Sequence, residues 1–315
     1  MATTTGDAGL SIRGLEGNPR RKRKESLVHG VLVTAAGVSL LISVAIVVAL
    51  VGQAVTILIE VDLGQLWASG WFPRSGEYDV LTIFIGTFEI SAIAMIIATP
   101  LGLGAAMYLS EYASPGTRRR LKPILETLAG IPSVVLGYFA LQVINPSIVQ
   151  NLFGATATFT IMAAGIGVGI LTIPLVASVA EDAMYAVPGA LREAAYGIGA
   201  RRRTVTTKVV FPAAVSGIMA SLILGFSRAL GETMVVAIAA GASGGASRHL
   251  NPLEGGQTMT GAISSLAIGS DQVRGVSGAV NPFDALYFVG LLLFVLTLGL
   301  NLLSERFVRR VRREY

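Results

Sequence analysis

Thirty-four consecutive residues, Ser26 to Ile59, carry no formal charge, and long apolar segments recur along the rest of the chain between short polar ones. An α-helix needs about 20 apolar residues to cross ~30 Å of hydrocarbon, so this run is long enough to span a bilayer and to tilt or project beyond it. Arg20-Arg21-Lys22-Arg23-Lys24 in front of it resembles the charged start of a secretory signal, but the apolar run is much longer than a signal's. It reads as a retained span. Composition agrees: 53% hydrophobic and 14% charged residues with a mean hydropathy of +0.68 exclude an ordinary soluble domain. There is no cysteine, and only His29 and His249 are histidines, so neither a disulfide nor a Cys/His metal cluster can be built, and both histidines read as interfacial or loop residues.

Further segments read as spans at 80–108, 124–144 (interrupted by Gly130 and Pro132), 153–180 (with Pro174), 213–242 and 283–303, giving six in all. Residues 1–25 read as a disordered basic tail and 26–79 as the first span with an outer loop. Residues 80–305 read as the core and 306–315 as a basic tail. Trp67 and Trp71 lie where amphipathic rings favour a membrane interface, a turn at Asn145-Pro146 is expected outside, and 259–268 is expected as a short re-entrant or surface helix. Charge tests this order. Of 24 Lys and Arg, six lie in the N-terminal tail, four in 109–122, five in 181–212 and five in the C-terminal tail, twenty on one side. Arg74, Arg248 and Arg274 fall on the other, and Arg228 within a span. Positive charge favours the cytoplasmic side, so both termini are expected there. The same sorting explains the net charge of +5 without nucleic acid.

A polar and basic stretch with long apolar segments on both sides is 181–212, EDAMYAVPGALREAAYGIGARRRTVTTKVVFP. Small alanines on a helix followed by glycine let another surface approach closely, and Gly199 suits a C-terminal cap between two short helices. Glu193, Ala194 and Ala195, then Gly199, Val209, Phe211 and Pro212, resemble the coupling loop of integral-membrane subunits of ABC importers. That pattern is E-A-A, three residues, G, nine residues, I, one residue, L-P; here Val209 stands for the Ile and Phe211 for the Leu. The resemblance implies an all-α polytopic fold of six transmembrane helices, the type I ABC importer permease, docking through this loop on a cytoplasmic ATPase.

Three ionisable residues fall within spans, Glu89, Arg228 and Glu232, where a charge is costly unless it is paired or faces a cavity. Arg228 and Glu232 are four apart and are expected on one helical face. At ~1.5 Å per residue, Arg228 lies roughly 24 Å from the inner surface and Glu89 roughly 13 Å below the outer one, so all three fit the outer half of the membrane. Two readings stand: a buried salt bridge locking the spans, or an anion path. The fork of Arg donates paired hydrogen bonds to an oxyanion, and Glu232 can accept from a protonated one. Hydrogen phosphate carries such a proton and sulfate does not.

Ser227–Met234, SRALGETM, and Leu128–Gly137, LAGIPSVVLG, resemble the paired permease subunits of the high-affinity phosphate ABC importer. The sequence VAEDAM at Val179–Met184 with Ala186-Val187-Pro188, and QTM at Gln257–Met259, favour the C-type subunit over the A-type. Ala180 departs from the Ser of many relatives, and the outer loop is unusually Gly-rich. The resemblance covers about 80–305 and implies that Arg228 and Glu232 are needed for transport. None of the four lysines follows a glycine in a G-x-x-x-x-G-K-[ST] pattern, so ATP and Mg would be used by a partner. The implied partners are a second six-span permease, a dimeric cytoplasmic ATPase and an outer phosphate-binding protein, with no cofactor or metal on this chain and no catalysis of its own. A permease for another oxyanion, sulfate or molybdate, and a non-transporting membrane scaffold or sensor are the alternatives; Glu232 beside Arg228 argues against the first, and charges within spans against the second. Alternating access would rock the spans about Pro100, Pro132 and Pro174 as kink sites.

Overall fold

The computed structural model describes residues 19–60, 64–67, 70–241, 245–269 and 282–311, in two units, Met1–Leu50 and Val51–Tyr315. The first unit's described residues form most of helix α1 (Pro19–Glu60), so 19–25 are helical where the sequence reads as a disordered tail. Residues 1–18, 270–281 and 312–315, with Arg274 and the ends of both tails, lie outside the described residues.

In the second unit, α2 (Val80–Met107) follows two short strands, β1 (Gly70–Phe72) and β2 (Glu77–Tyr78), and ends in a π-helical turn at Tyr108–Tyr112. Next come α3 (Pro115–Leu128), then α4 (Ser133–Phe139), a π-helical stretch Ala140–Gln150 and α5 (Asn151–Phe153). After α6 (Ile161–Tyr185) and α7 (Gly189–Gly197), the chain forms α8 (Arg202–Val205), a π turn, α9 (Phe211–Ala213) and α10 (Val215–Leu230). The last elements are α11 (Met234–Val236) with its π turn, β3 (Ala246–Ser247), α12 (Met259–Ile268) and α13 (Pro282–Val311). Among the described residues five helical stretches are long and apolar enough to cross a membrane, and Arg202–Ala213 with Val215–Leu230, bent by 73°, makes a sixth when counted as one span.

Several boundaries differ from the sequence reading. The third span is Ser133–Phe153, because Pro132 starts a helix as its N-cap; residues 124–128 belong to α3, an amphipathic helix with no buried residue. Asn145-Pro146 is no turn: the π-helical backbone runs through it. The Asn145 amide, buried, donates to the carbonyls of Ala157 and Thr158 at 3.1 and 2.8 Å and accepts from Thr160 Oγ1 at 2.8 Å. The fourth span shifts to Ile161–Tyr185. Pro100 and Pro174 do lie inside helices α2 and α6.

Helices α2 and α6 pack closely because α6 presents glycines. A Cβ at Gly165 would sit 2.7 Å from Ile93, and one at Gly169 would sit 3.1 Å from the Ala94 carbonyl. This is the small-residue contact that lets helices associate where apolar burial alone does not discriminate protein from lipid. A second core cluster gathers Ala54, Ile57, Trp71, Tyr78, Ile83, Leu266 and Val289. Trp71 is fully buried there, edge-on to Tyr78 at 5.7 Å, and only Trp67 is exposed as an interfacial ring would be. Strand β1 pairs with both β2 and β3, so the segment 70–78 and the segment 246–247 meet in one small sheet. Helix α12 is largely buried and so packs as an interior helix; its Met259 amide donates to Thr87 Oγ1 at 3.0 Å.

Candidate functional site

The three charges of the spans do not form one ion-paired cluster. Helix α10 stops at Leu230; Gly231 caps it, its amide donating to the Ser227 carbonyl at 3.2 Å. Glu232 therefore lies beyond the helix end and not one turn further on the same face. Among the described residues no carboxylate lies within ion-pairing distance of Arg228, which is exposed on this chain. The Glu232 side chain accepts from the Val235 amide at 3.3 Å at the start of α11, and its carbonyl accepts from Thr260 Oγ1 at 2.8 Å. Glu89 is half-buried in the middle of α2, and one of its carboxylate oxygens is enclosed with no hydrogen-bond partner among the described residues. The segment Gln257–Thr260 links the two acids indirectly: it touches Gly86 and Thr87 of α2, just before Glu89, and Glu232 across from them. The salt-bridge reading of Arg228 with Glu232 is thus corrected. The break at Gly231, invisible to a helical count, separates them.

At the other end of the spans lies a larger set of charges that the sequence reading left in polar loops. Glu181 and Asp182 belong to α6, which continues to Tyr185; the loop begins only there. Glu181 is fully buried. Arg118 of α3 donates to its Oε1 from Nε at 2.6 Å, with Nη2 at 2.5 Å, and Lys122 Nζ donates to its Oε2 at 2.8 Å. Lys122 also pairs with Asp182, and the Arg118 guanidinium lies 3.5 Å over the Tyr185 ring. A second buried acid, Glu111 on the π turn after α2, accepts from Arg192 of α7. Only the acidic and basic residues themselves could have signalled this network; their pairing spans many residues of sequence.

Between these pairs, α7 and α8 form the polar projection. Glu193 and Ala194 are exposed and Ala195 is buried against the protein. Gly199 has φ of +80°, the left-handed region that glycine enters without a steric penalty, and Ala200 N donates back to the Ala195 carbonyl at 3.1 Å. Tyr196 and Ile198 are exposed, Ile198 by 88%, so an apolar and small-residue surface stands free at the tip. Pro212 follows in α9, just before the 73° bend.

A helical membrane fold with this projection defines a class. The profile of the binding-protein-dependent transport system inner membrane component matches residues 98–313, and the chain belongs to that family, as a multi-pass inner membrane protein. Its relatives are named as transport permeases, not enzymes. It is 32% identical over 267 residues to the phosphate transport system permease protein PstC of Pasteurella multocida, covering 79% of this chain and 80% of that one. It is 31% identical over 260 residues to PstC 1 of Mycobacterium tuberculosis, with 76% and 75% covered. With a probable ABC transporter permease, YqgH of Bacillus subtilis, it shares 35% identity over 178 residues, 56% of this chain and 57% of that protein's length. Among solved structures, a bacterial alginate ABC transporter bound to a pentasaccharide-loaded periplasmic protein superposes with a TM-score of 0.62 at 17% identity, over 93% and 97% of the two chains. The MetNI methionine ABC transporter gives 0.54 at 18%, over 74% and 94%. These two support the type I importer permease fold.

Proposed function

We propose that this chain is the C-type permease subunit of an ATP-driven importer of inorganic phosphate, with both termini in the cytoplasm. The observation that carries the reading is the 32% identity to a phosphate permease over 79% of the chain. A second permease, a dimeric ATPase that uses ATP and Mg, and an outer phosphate-binding protein complete the assembly; the exposed E-A-A surface on α7 offers the ATPase its contact. Arg228 is the anion contact of the path: it carries a permanent charge at a helix end and has no carboxylate within ion-pairing distance among the described residues. Glu232, beyond the break, accepts a hydrogen bond from the protonated oxygen of hydrogen phosphate, and Glu89 lines the same half.

The test is uptake of radiolabelled phosphate by the assembled complex, with sulfate and molybdate as competitors. Arg228→Lys keeps the charge but loses the bidentate fork, and uptake should fall about tenfold or more, in line with ~1.5–3 kcal/mol for hydrogen bonds to charged groups. Glu232→Gln should reduce phosphate uptake more than any residual sulfate uptake. Wild-type uptake by Arg228→Gln with Glu232→Gln, at normal surface abundance, would falsify the path.

A further inference from the structure

We propose that Arg192 and Glu111 are the positioning pair that makes α7, α6 and the end of α2 move as one body; this rests on the permease reading above. Helix α7 has nine residues, of which only Ala195 is buried, and no side chain caps its start at Pro188. It joins α6 through Ala186, Val187 and Pro188. Such a short link would flex under a push on the exposed face of α7 unless something stiffens it.

Arg192 supplies the stiffening. Its Nε and Nη2 donate to Glu111 Oε1 at 3.2 and 2.9 Å, Nη2 also donates to the Met184 carbonyl at 2.8 Å, and Nη1 donates to the Val187 carbonyl at 2.6 Å. The Met184 carbonyl lies in the last turn of α6, where its backbone donors are only the link amides of Ala186 and Val187, and the Val187 carbonyl lies in the link itself. One planar guanidinium thus ties α7 to the end of α6, to the link and to the π turn after α2 from three nitrogens at fixed spacing, a reach that the one nitrogen of a lysine, though it carries three N–H donors, does not have. Glu111 is a fixed anchor: its side chain is 4% exposed and its Oε1 also accepts from Ser110 at 3.0 Å. Arg192 does not belong to the exposed surface of Glu193, Ala194, Tyr196 and Ile198, so its role is separable from docking.

The experiment uses the complete complex in proteoliposomes, with ATP hydrolysis and phosphate uptake read in the same sample. Arg192→Lys keeps the charge but cannot bond the carboxylate and both carbonyls together, and Glu111→Gln keeps the shape without the charge. Each should still hold the ATPase, while phosphate moved per ATP hydrolysed falls about fivefold or more, the range of site-to-site coupling. If Glu111→Gln does not assemble, Glu111→Asp keeps the charge with a shorter reach and should lose less coupling than Arg192→Lys. Unchanged phosphate per ATP in assembled variants overturns the proposal, and so does a loss of uptake that only tracks loss of assembly. A wild-type complex without ATP-driven phosphate uptake would instead sink the permease reading.

Discussion

Glu181 is the residue whose surroundings the sequence says least about. It has two cations on its carboxylate and no exposure. Removing one partner of a buried pair leaves the others uncompensated, which costs more than the pair itself contributes. Glu181→Gln should therefore lower stability by ~1–3 kcal/mol, the cost of an unmet hydrogen bond to charged groups, read as a lower thermal midpoint of the purified chain. Lys122 adds a pH dependence. Burial acts to lower its pKa, but the hydrogen bonds and charges of Asp182 and Glu181 outweigh it and leave it above the ordinary value of 10.5. A raised folded pKa means the stabilisation is present below the unfolded value and lost as pH rises through the folded one. The advantage of wild type over Lys122→Met should be constant from about pH 7 to about pH 9 and shrink above about 10.5. Charges inside spans stand out against apolar neighbours, so Glu89, Arg228 and Glu232 were legible as candidates. Glu111 and Glu181, in polar stretches, gave no sign of burial.

Helices were legible as apolar segments but not as unbroken rods. The fifth span is interrupted twice, by the 73° bend before Val215 and by the stop at Gly231. Pro212 stands just before the bend, but no proline marks the stop at Gly231. The bend comes where α10 crosses α6, with Gly217 so close to Ala183 that any side chain at 217 would overlap it. Gly199 is different, since its need is local: φ of +80° disfavours any Cβ. Although open space surrounds it, Gly199→Ala should cost ~1–2 kcal/mol from backbone conformation alone and weaken capture of the ATPase. Glu193→Lys should leave stability unchanged, because the residue is exposed, yet also weaken that capture. Equal ATPase pull-down by both variants and wild type would remove α7 as the docking surface.

At the scale of the molecule, the small sheet holds the segments before α2 and before α12 together, with Arg248 donating to buried Asp79 at 3.0 Å across it. The E-A-A projection is expected on the opposite membrane face. A chain without cysteine makes single thiols clean probes. Leu250→Cys and Ile198→Cys occupy sites 75% and 88% exposed, and an impermeant maleimide should label the first from outside and the second only from inside. Labelling of Ile198→Cys in intact cells would invert the topology.

By itself the sequence determined that several segments are apolar enough to cross a membrane, which segments between them carry the positive charge and the spacing of the E-A-A surface, because these follow from segment length, summed charge and neighbours within a few residues. Tertiary structure decided which charge meets which. Arg192 finds Glu111 over 81 residues, Arg248 finds Asp79 over 169, and the Met259 amide finds Thr87 over 172. It also decided where helices break, since a glycine in an apolar run is a packing contact in one place and a helix end in another. Only the neighbouring helix distinguishes Gly165, which lets α2 approach α6, from Gly231, which parts Arg228 from Glu232.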